Sequence, residues 1–123
     1  MEAQDETRLE RQLKKGVLEM LVLRLVCQKP GHGYELLARM DRRSHGAFRL
    51  KEGTLYPILY RLEDDGLIVS SWQTGGEGRA APKKIYTGTP AGRAAQAEQR
   101  RLWDGFIACV QGFDKEDADE KEQ

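Results

Sequence analysis

The sequence predicts a mainly α-helical fold with a small β-wing. Three observations support this fold class: apolar residues recur at helical spacing in four segments, two strand-like segments flank a glycine-rich turn, and glycine or proline marks most boundaries. In chain order these segments give helix, helix, turn, helix, strand, turn, strand and helix. That is the order of a winged helix-turn-helix with one small core.

The first helix is predicted between Glu6 and Cys27. Glycine inside a helix costs about 1 kcal/mol relative to alanine, so we expect the segment before Gly16 to form a separate or bent helix. Pro30 and Gly31 end the element. The apolar stripe that predicts this helix repeats every four residues and consists of Leu9, Leu13, Val17, Leu21 and Leu25.

The second helix is predicted from Gly33 to Arg43. Tyr34, Leu37 and Met40 share one side of it, at spacings of three residues, and charged side chains occupy the rest. A connector from Ser44 to Lys51 then leads into the third helix.

The third helix has two surfaces of different chemistry. Leu55, Leu59 and Leu62 form an apolar stripe that must be buried. The other surface carries hydroxyl groups and a guanidinium, which suit phosphate oxygens and base edges, as in a DNA recognition helix. Tyrosine and arginine also occur on ordinary amphipathic helices, so the order of elements, more than the periodicity, favours DNA recognition. The polar residues are Thr54, Tyr56, Tyr60 and Arg61.

Proline and glycine indicate the ends of this helix. If it begins near Glu52 or Gly53, Pro57 falls near the first turn, where a missing N–H costs little. The helix can then continue to Asp65, and Gly66 stops it.

Two strands follow, from Leu67 to Gln73 and from Lys83 to Thr87. The glycine-rich segment between them, residues 74–82, is not a phosphate-binding Walker loop, because neither a Lys-Ser or Lys-Thr pair nor a helix follows it. We therefore expect the tip of a β-wing. Two roles fit Arg79 in this tip equally well: contact with a minor groove or phosphate, and simple solvation.

A long final helix is predicted to start at Pro90, with Thr89 as its N-cap, and to end near Phe113. Its later half carries more apolar side chains than so small a domain can bury, so we expect a homodimer built on this helix and the N-terminal one. Twofold symmetry would then hold two recognition helices roughly 34 Å apart, one turn of DNA. The residues expected at the interface are Leu9, Leu13, Leu102, Trp103, Phe106, Ile107, Val110 and Phe113.

Composition narrows the class of protein. The 123 residues carry 20 basic and 20 acidic side chains and suffice for one domain with a modest core. No apolar run approaches the roughly 18 residues that span a bilayer, and the N-terminus lacks the apolar segment of a signal peptide. We therefore expect a cytoplasmic protein without membrane contact. Basic residues dominate from Arg79 to Arg101, whereas acidic residues crowd positions 114–123, which we expect to be disordered.

Catalysis and metal binding are not expected. The two histidines, His32 and His45, lie in no nucleophile or metal motif. Cys27 and Cys109 lie far apart among apolar neighbours, so we expect two buried free thiols. The sequence therefore predicts a protein that is not an enzyme and needs no cofactor.

Five segments stand out by their order and spacing: Gly16–Leu23, His32–Leu36, Gly53–Pro57, Arg61–Ile68 and Lys83–Arg93. Together they resemble the PadR family of bacterial transcriptional regulators. The resemblance implies a dimeric repressor with a winged-helix head and a C-terminal dimerisation helix, often released by a small phenolic or hydrophobic effector. The short C-terminal region is similar to the compact subfamily, which has a single terminal helix. One departure is Thr87-Gly88, where the family usually has an apolar residue before the helix-capping threonine.

The same resemblance implies candidate effector-binding residues. In some members of the compact subfamily, an aromatic residue of the terminal helix lines a drug-binding pore at the dimer centre. Trp103 lies at a comparable position, and Phe106 follows about one helical turn later. Aromatic side chains among apolar neighbours are also the ordinary composition of an interface core, so both interpretations stay open.

The sequence thus predicts a homodimeric DNA-binding regulator of transcription, a repressor acting at a pseudo-palindromic operator. The alternative is a winged helix used for protein–protein contact without sequence-specific DNA binding. Expected partners are double-stranded DNA, a second copy of the chain and a small hydrophobic effector. The expected domains are an N-terminal helical extension (1–15), the winged helix-turn-helix (16–88), the dimerisation helix (89–113) and the acidic tail (114–123). The expected DNA-contacting residues are Tyr34, Lys51, Thr54, Tyr56, Pro57, Tyr60, Arg61, Arg79, Lys83 and Lys84.

Overall fold

A computed structural model describes residues 6–74 and 81–115 of the chain. Within these residues a helical domain carries one antiparallel hairpin, which confirms the predicted mainly α fold with a small β-wing. The elements are α1 (Arg8–Gln28), α2 (Gly33–Arg43), α3 (Glu52–Asp64), β1 (Ile68–Gln73), β2 (Lys83–Gly88), α4 (Pro90–Gln111) and a short 3-10 turn (Gly112–Asp114). No helix of the described part is long and apolar enough to cross a membrane.

The core lies where α1, α2, α3 and the hairpin meet. Each fully buried aliphatic side chain contributes roughly 1.5–3 kcal/mol through removal of its surface from water. The early part of α4 touches this core closely, because a methyl group at Gly92 would collide with the carbonyl oxygen of Leu67. The fully buried side chains are Val22, Leu23, Val26, Leu36, Leu55, Leu59, Leu62, Ile68 and Tyr86.

α1 is one continuous helix through Gly16, so the predicted separate helix before that residue is not formed. Thr7 and Glu10 make a reciprocal capping box: Thr7 Oγ1 accepts from the Glu10 N–H at 3.0 Å, and the Thr7 N–H donates to Glu10 Oε1 at 2.8 Å. This cap and the buried second half of α1 offset the cost of about 1 kcal/mol that glycine imposes.

α2 has the predicted ends, and the three residues that were predicted to share one side, Tyr34, Leu37 and Met40, differ in burial. Leu36 and Met40 are buried, whereas 67% of Tyr34 is exposed. His32 sets the helix start, because its Nδ1 accepts from the Glu35 N–H at 3.4 Å while Glu35 Oε1 accepts from the His32 N–H at 3.0 Å. Residues four apart then share the core side, and Tyr34 faces outward.

α3 begins at Glu52 and ends at Asp64, as predicted to within one residue, and it tolerates Pro57. Gly66 follows with a φ of 76°, a left-handed conformation that glycine adopts without strain. This tight stop turns the chain from α3 directly into β1.

The wing is anchored at its base by two glycines. The backbone of Gly31 exchanges hydrogen bonds of 3.2 and 2.9 Å with Tyr86, so the link between α1 and α2 pairs with β2. A methyl group at Gly88 would lie 2.7 Å from the Sγ of Cys27. The glycine that departs from the family pattern therefore allows β2 to pack against α1. Residues 75–80, including Arg79, lie outside the described residues.

α4 starts as predicted: Thr89 Oγ1 accepts from the Gly92 N–H at 2.9 Å and donates to the carbonyl of Gly66 at 2.7 Å. The later half of α4 has no core beneath it. Cys109 on that half is exposed and Cys27 is half-buried, so the prediction of two buried thiols was wrong. The predicted tail is described only for Asp114 and Lys115, and its other residues lie outside the described part.

Candidate nucleic-acid interface

Three tyrosines from α2 and α3 form one surface, which we call the tyrosine surface: Tyr34, Tyr56 and Tyr60. Tyr34 and Tyr60 are 67% and 51% exposed, and Tyr56 is half-buried. The rings of Tyr56 and Tyr60, one helical turn apart, have centroids 6.1 Å apart. The surface thus brings tyrosine side chains from two adjacent helices to one side of the molecule.

A glycine positions the two helices. A methyl group at Gly33, the first residue of α2, would collide with the hydroxyl of Tyr56. The missing side chain lets the start of α2 approach α3 closely, so Tyr34 and Tyr56 share one side of the molecule. The exposed hydroxyls therefore depend on a contact between the two helices of the helix-turn-helix.

Glu52, at the start of α3, raises the pKa of two of these tyrosines, Tyr34 and Tyr56. The pKa of Tyr34 is raised by a hydrogen bond to the Glu52 carboxylate and then by its charge. The pKa of Tyr56 is raised first by burial and then by Glu52. An ordinary tyrosine, with a pKa of 10.0, is already protonated at neutral pH, and these shifts move both phenols further from ionisation. Glu52 was not predicted as a site residue, and only its position at the exposed start of α3 could have suggested it.

Arg61 lies apart from the tyrosine surface. Its Nη2 donates to Oε1 of Glu19 on α1 at 3.0 Å. Thr54, exposed and two helical turns before Arg61, belongs to the same flank of α3. Pro57 is exposed between the two flanks. The polar residues predicted as one surface are therefore divided between two sides of the helix.

Three lysines that were predicted to contact DNA lie next to α3 in the sequence or on the hairpin. Lys51 is exposed in the extended residue that precedes α3. On β2, Lys83 is exposed and Lys84 is half-buried. The Lys84 Nζ lies 5.9 Å from the ring centres of both Trp72 and Tyr86, at the distance of a cation–π contact.

An open groove of about 880 Å³ runs between the first half of α1 and the later half of α4. Its exposed apolar side chains include Leu13 at 61%, Leu102 at 64% and Phe106 at 60%. Leu9 and Phe113 are exposed beyond the groove walls. Residues from both ends of the chain thus meet along one apolar face. The predicted interface residues in the groove are Leu13, Leu102, Trp103, Phe106, Ile107 and Val110.

Comparison with known proteins decides the family. The model described as "Transcriptional regulator PadR-like family" matches residues 22–98. The chain belongs to the PadR-like family. It is 42% identical over 102 residues to Transcriptional regulator Rv3488 of Mycobacterium tuberculosis, a match that covers 83% of this chain and 90% of that protein.

Solved structures of PadR-like proteins share the fold. A PadR family regulator from Eggerthella lenta has a TM-score of 0.73 and 31% identity, over 83% of this chain and 85% of that one. A PadR-like regulator from Bacillus cereus has a TM-score of 0.72 and 28% identity, over 85% and 98% of the two chains. These matches confirm the winged helix-turn-helix and the predicted role in transcription regulation.

Family membership also settles the class of activity. PadR-like regulators are not enzymes, as the sequence predicted for this chain. Within the described residues, no group of three or more histidine, cysteine, aspartate or glutamate side chains is arranged to hold a metal ion.

Proposed function

We propose that this PadR-like regulator binds double-stranded DNA as a homodimer and represses transcription at a pseudo-palindromic operator in the cytoplasm. The observation that carries the proposal is the outward orientation of the tyrosine surface. Tyr34 and Tyr60 are too exposed to serve the core. Phenol donors of this kind suit phosphate oxygens and base edges.

The DNA contacts are divided by chemistry. In the proposed complex α3 enters the major groove, and its tyrosines, Thr54 and Pro57 lie against the base edges and the backbone. The chain as a whole carries no net charge. The positive charge that phosphate binding requires would therefore come from local groups, which are Lys51, Lys83 and Lys84. Arg79, which lies between the two strands in the sequence, would join them as a phosphate or minor-groove contact.

Arg61 can contact DNA in this proposal only if it leaves its partner Glu19. Its guanidinium pairs with Glu19 in the free chain, so a contact with a base or phosphate requires exchange of that partner. The exchange costs little free energy, because an ion pair between exposed side chains contributes only about 0.2–1 kcal/mol.

The homodimer is proposed from the apolar face of α1 and α4. So many exposed large apolar side chains on a small protein indicate an association surface. A second copy related by twofold symmetry would cover the same groove on both chains and hold the two α3 helices roughly 34 Å apart. Leu9 and Phe113, beyond the groove walls, would extend that interface.

A small hydrophobic effector is the remaining part of the proposal. Trp103 and Phe106 line the groove, whose volume of about 880 Å³ suits a planar apolar molecule even after partial filling by a partner. In a Trp72→Phe background, quenching of Trp103 fluorescence by planar hydrophobic dyes would support this site. If a Trp103→Ala variant binds the dyes as well as the unsubstituted chain does, Trp103 serves in packing of the interface and not in effector binding.

A gel shift with fragments of the host genome tests the proposed function. The proposal predicts a shift that weakens steeply as salt rises, because each phosphate contact releases counterions. No binding to any DNA at low salt would contradict it. A stable complex with another protein in that case would favour a winged helix used for protein contact.

A further inference from the structure

Arg24 of α1 carries a charge whose buried part has no partner. Its Nε and Nη2 are both buried, and neither donates to an acceptor among the described residues. Removal of a charged group from water costs much free energy unless a hydrogen-bonded partner of opposite charge compensates for it. Polar groups inside folded proteins are normally hydrogen-bonded, so the guanidinium of Arg24 lacks an acceptor that we expect it to have.

The carboxylates of the two nearest helices are engaged elsewhere. Two of them complete the capping boxes at the starts of α1 and α2. Glu19 pairs with Arg61, and Asp41 pairs with Arg49. Neither helix therefore offers a carboxylate to Arg24. The four carboxylates of α1 and α2 are Glu10, Glu19, Glu35 and Asp41.

Arg24 lines an open pocket of about 290 Å³ between α1 and the end of α2. Arg43, the last residue of α2, is exposed and lines the same pocket. Leu25, Met40 and Phe48 give it apolar walls. Within the described residues, no acidic side chain lines this pocket. Two positive charges and an apolar surface thus border one space.

We infer that this pocket binds a small organic acid, whose carboxylate lies between Arg24 and Arg43 and whose apolar body packs on the walls. A guanidinium presents parallel N–H donors that match the two oxygens of a carboxylate. The carboxylate would also supply the acceptor and the negative charge that Arg24 lacks. A volume of about 290 Å³ lies at the lower end of the range of small-molecule sites, so the acid is small.

The pocket is separate from the groove in which the hydrophobic effector is proposed. On α1, the groove is lined by residues up to Met20, whereas the pocket is lined by residues from Leu21 onwards, and Phe48 borders both. The pocket differs from the groove also in having two arginines in its lining. The inference does not depend on DNA binding, so the free protein is sufficient to test it.

The first experiment is calorimetric titration of the full chain with hexanoate. We expect one site per chain. Hexanamide has the same shape without the charge, and it should bind at least tenfold more weakly because it cannot neutralise Arg24. Acetate and inorganic phosphate carry charge without an apolar body of this length, and they should also bind at least tenfold more weakly.

The second experiment compares neighbouring arginines. Arg24→Gln should weaken hexanoate binding at least tenfold, and Arg43→Gln should weaken it less, since Arg43 is exposed. Arg42→Gln is the matched control, because Arg42 is exposed and does not line the pocket. Circular dichroism verifies the fold of each variant. If Arg24→Gln does not fold, the unsubstituted chain decides the matter, because hexanoate should shift the NMR signal of the Arg24 Nε–H and hexanamide should not.

Four results would overturn the inference. The first is no binding of hexanoate at millimolar concentration, and the second is equal binding of hexanoate by folded Arg24→Gln and Arg42→Gln variants. The third is equal affinity for hexanoate and hexanamide, or for hexanoate and inorganic phosphate. The fourth is weaker self-association of Arg24→Gln in sedimentation velocity without any hexanoate binding by the unsubstituted chain, which would assign Arg24 to a carboxylate of a second copy.

Discussion

Arg61 of α3 donates a hydrogen bond of 3.0 Å to Glu19 of α1, and Glu19 also lines the groove between α1 and α4. One ion pair thus joins the proposed recognition helix to the proposed association surface. Both side chains are about half exposed, so the pair breaks at small cost. We therefore expect occupation of the groove to affect the freedom of Arg61 through Glu19.

Glu19→Ala is expected to release Arg61 and to raise DNA affinity by up to about fivefold, because an exposed ion pair is worth about 0.2–1 kcal/mol. Fluorescence anisotropy with labelled operator DNA measures the change. Asp41→Ala is the matched control, since it removes the exposed Asp41–Arg49 pair of 3.2 Å. The Glu19→Ala substitution is also made in a chain that carries Arg61→Ala. If it changes DNA affinity equally with and without Arg61, the coupling is contradicted.

Gly33→Ala is expected to lower the free energy of unfolding by roughly 1–3 kcal/mol, the usual cost of overpacking. The added methyl collides with the Tyr56 hydroxyl, and Tyr56→Phe in the same chain should recover part of the loss. Urea denaturation followed by circular dichroism measures both. Gly53→Ala is the control: its methyl meets open space, and stability should be unchanged or raised by up to about 1 kcal/mol. Equal losses at both glycines would refute the close contact of α2 with α3.

Phe106→Asp is expected to yield a folded monomer. Phe106 is 60% exposed in the single chain, so the domain does not need it, whereas a charge in an apolar interface is costly. Sedimentation velocity measures the association state, and DNA affinity should fall with it. Val69→Asp, at a residue of 51% exposure far from the groove, should remain dimeric. If the Phe106→Asp protein remains dimeric, the interface lies elsewhere on the chain.

Alkaline pH is expected to destabilise the fold through Tyr86. Its folded-state pKa of about 12 exceeds the ordinary value of 10.0, so the folded chain keeps a proton that the unfolded chain releases. The stabilisation is therefore complete below pH 10 and declines as the pH rises from about 10 to 12. Denaturation curves across this range should show the decline, and Tyr86→Phe should reduce it. A slope that is unchanged by Tyr86→Phe would assign the effect to other groups.

Local signals in the sequence predicted most of the fold. Thr89-Pro90 gave the start of α4, Gly66 gave the end of α3, and the ends of α2 agree with the structure. Each of these signals acts within a few residues of the chain, through a cap or a left-handed turn. Such signals need no knowledge of the tertiary structure.

The candidate site depended on contacts between distant segments. Arg61 and Glu19 are 42 residues apart, and no local pattern reveals their pairing. The sequence identifies Trp72 only as a residue of a strand, whereas the register of the hairpin places it opposite Lys84. The spacing grouped Tyr34 with Leu37 and Met40, but spacing alone does not show that Tyr34 is the exposed residue of the three. Side-chain partners across elements require the assembled fold.

The most direct test of the account is DNA binding by a chain that has lost only the exposed phenol hydroxyls. Tyr34→Phe with Tyr60→Phe leaves both rings in place. Anisotropy titrations should show two chains per operator and at least tenfold weaker binding by the variant, since each hydrogen bond to a charged oxygen is worth roughly 1.5–3 kcal/mol. Equal affinities of the variant and the unsubstituted chain would contradict the claim that the tyrosine surface meets DNA.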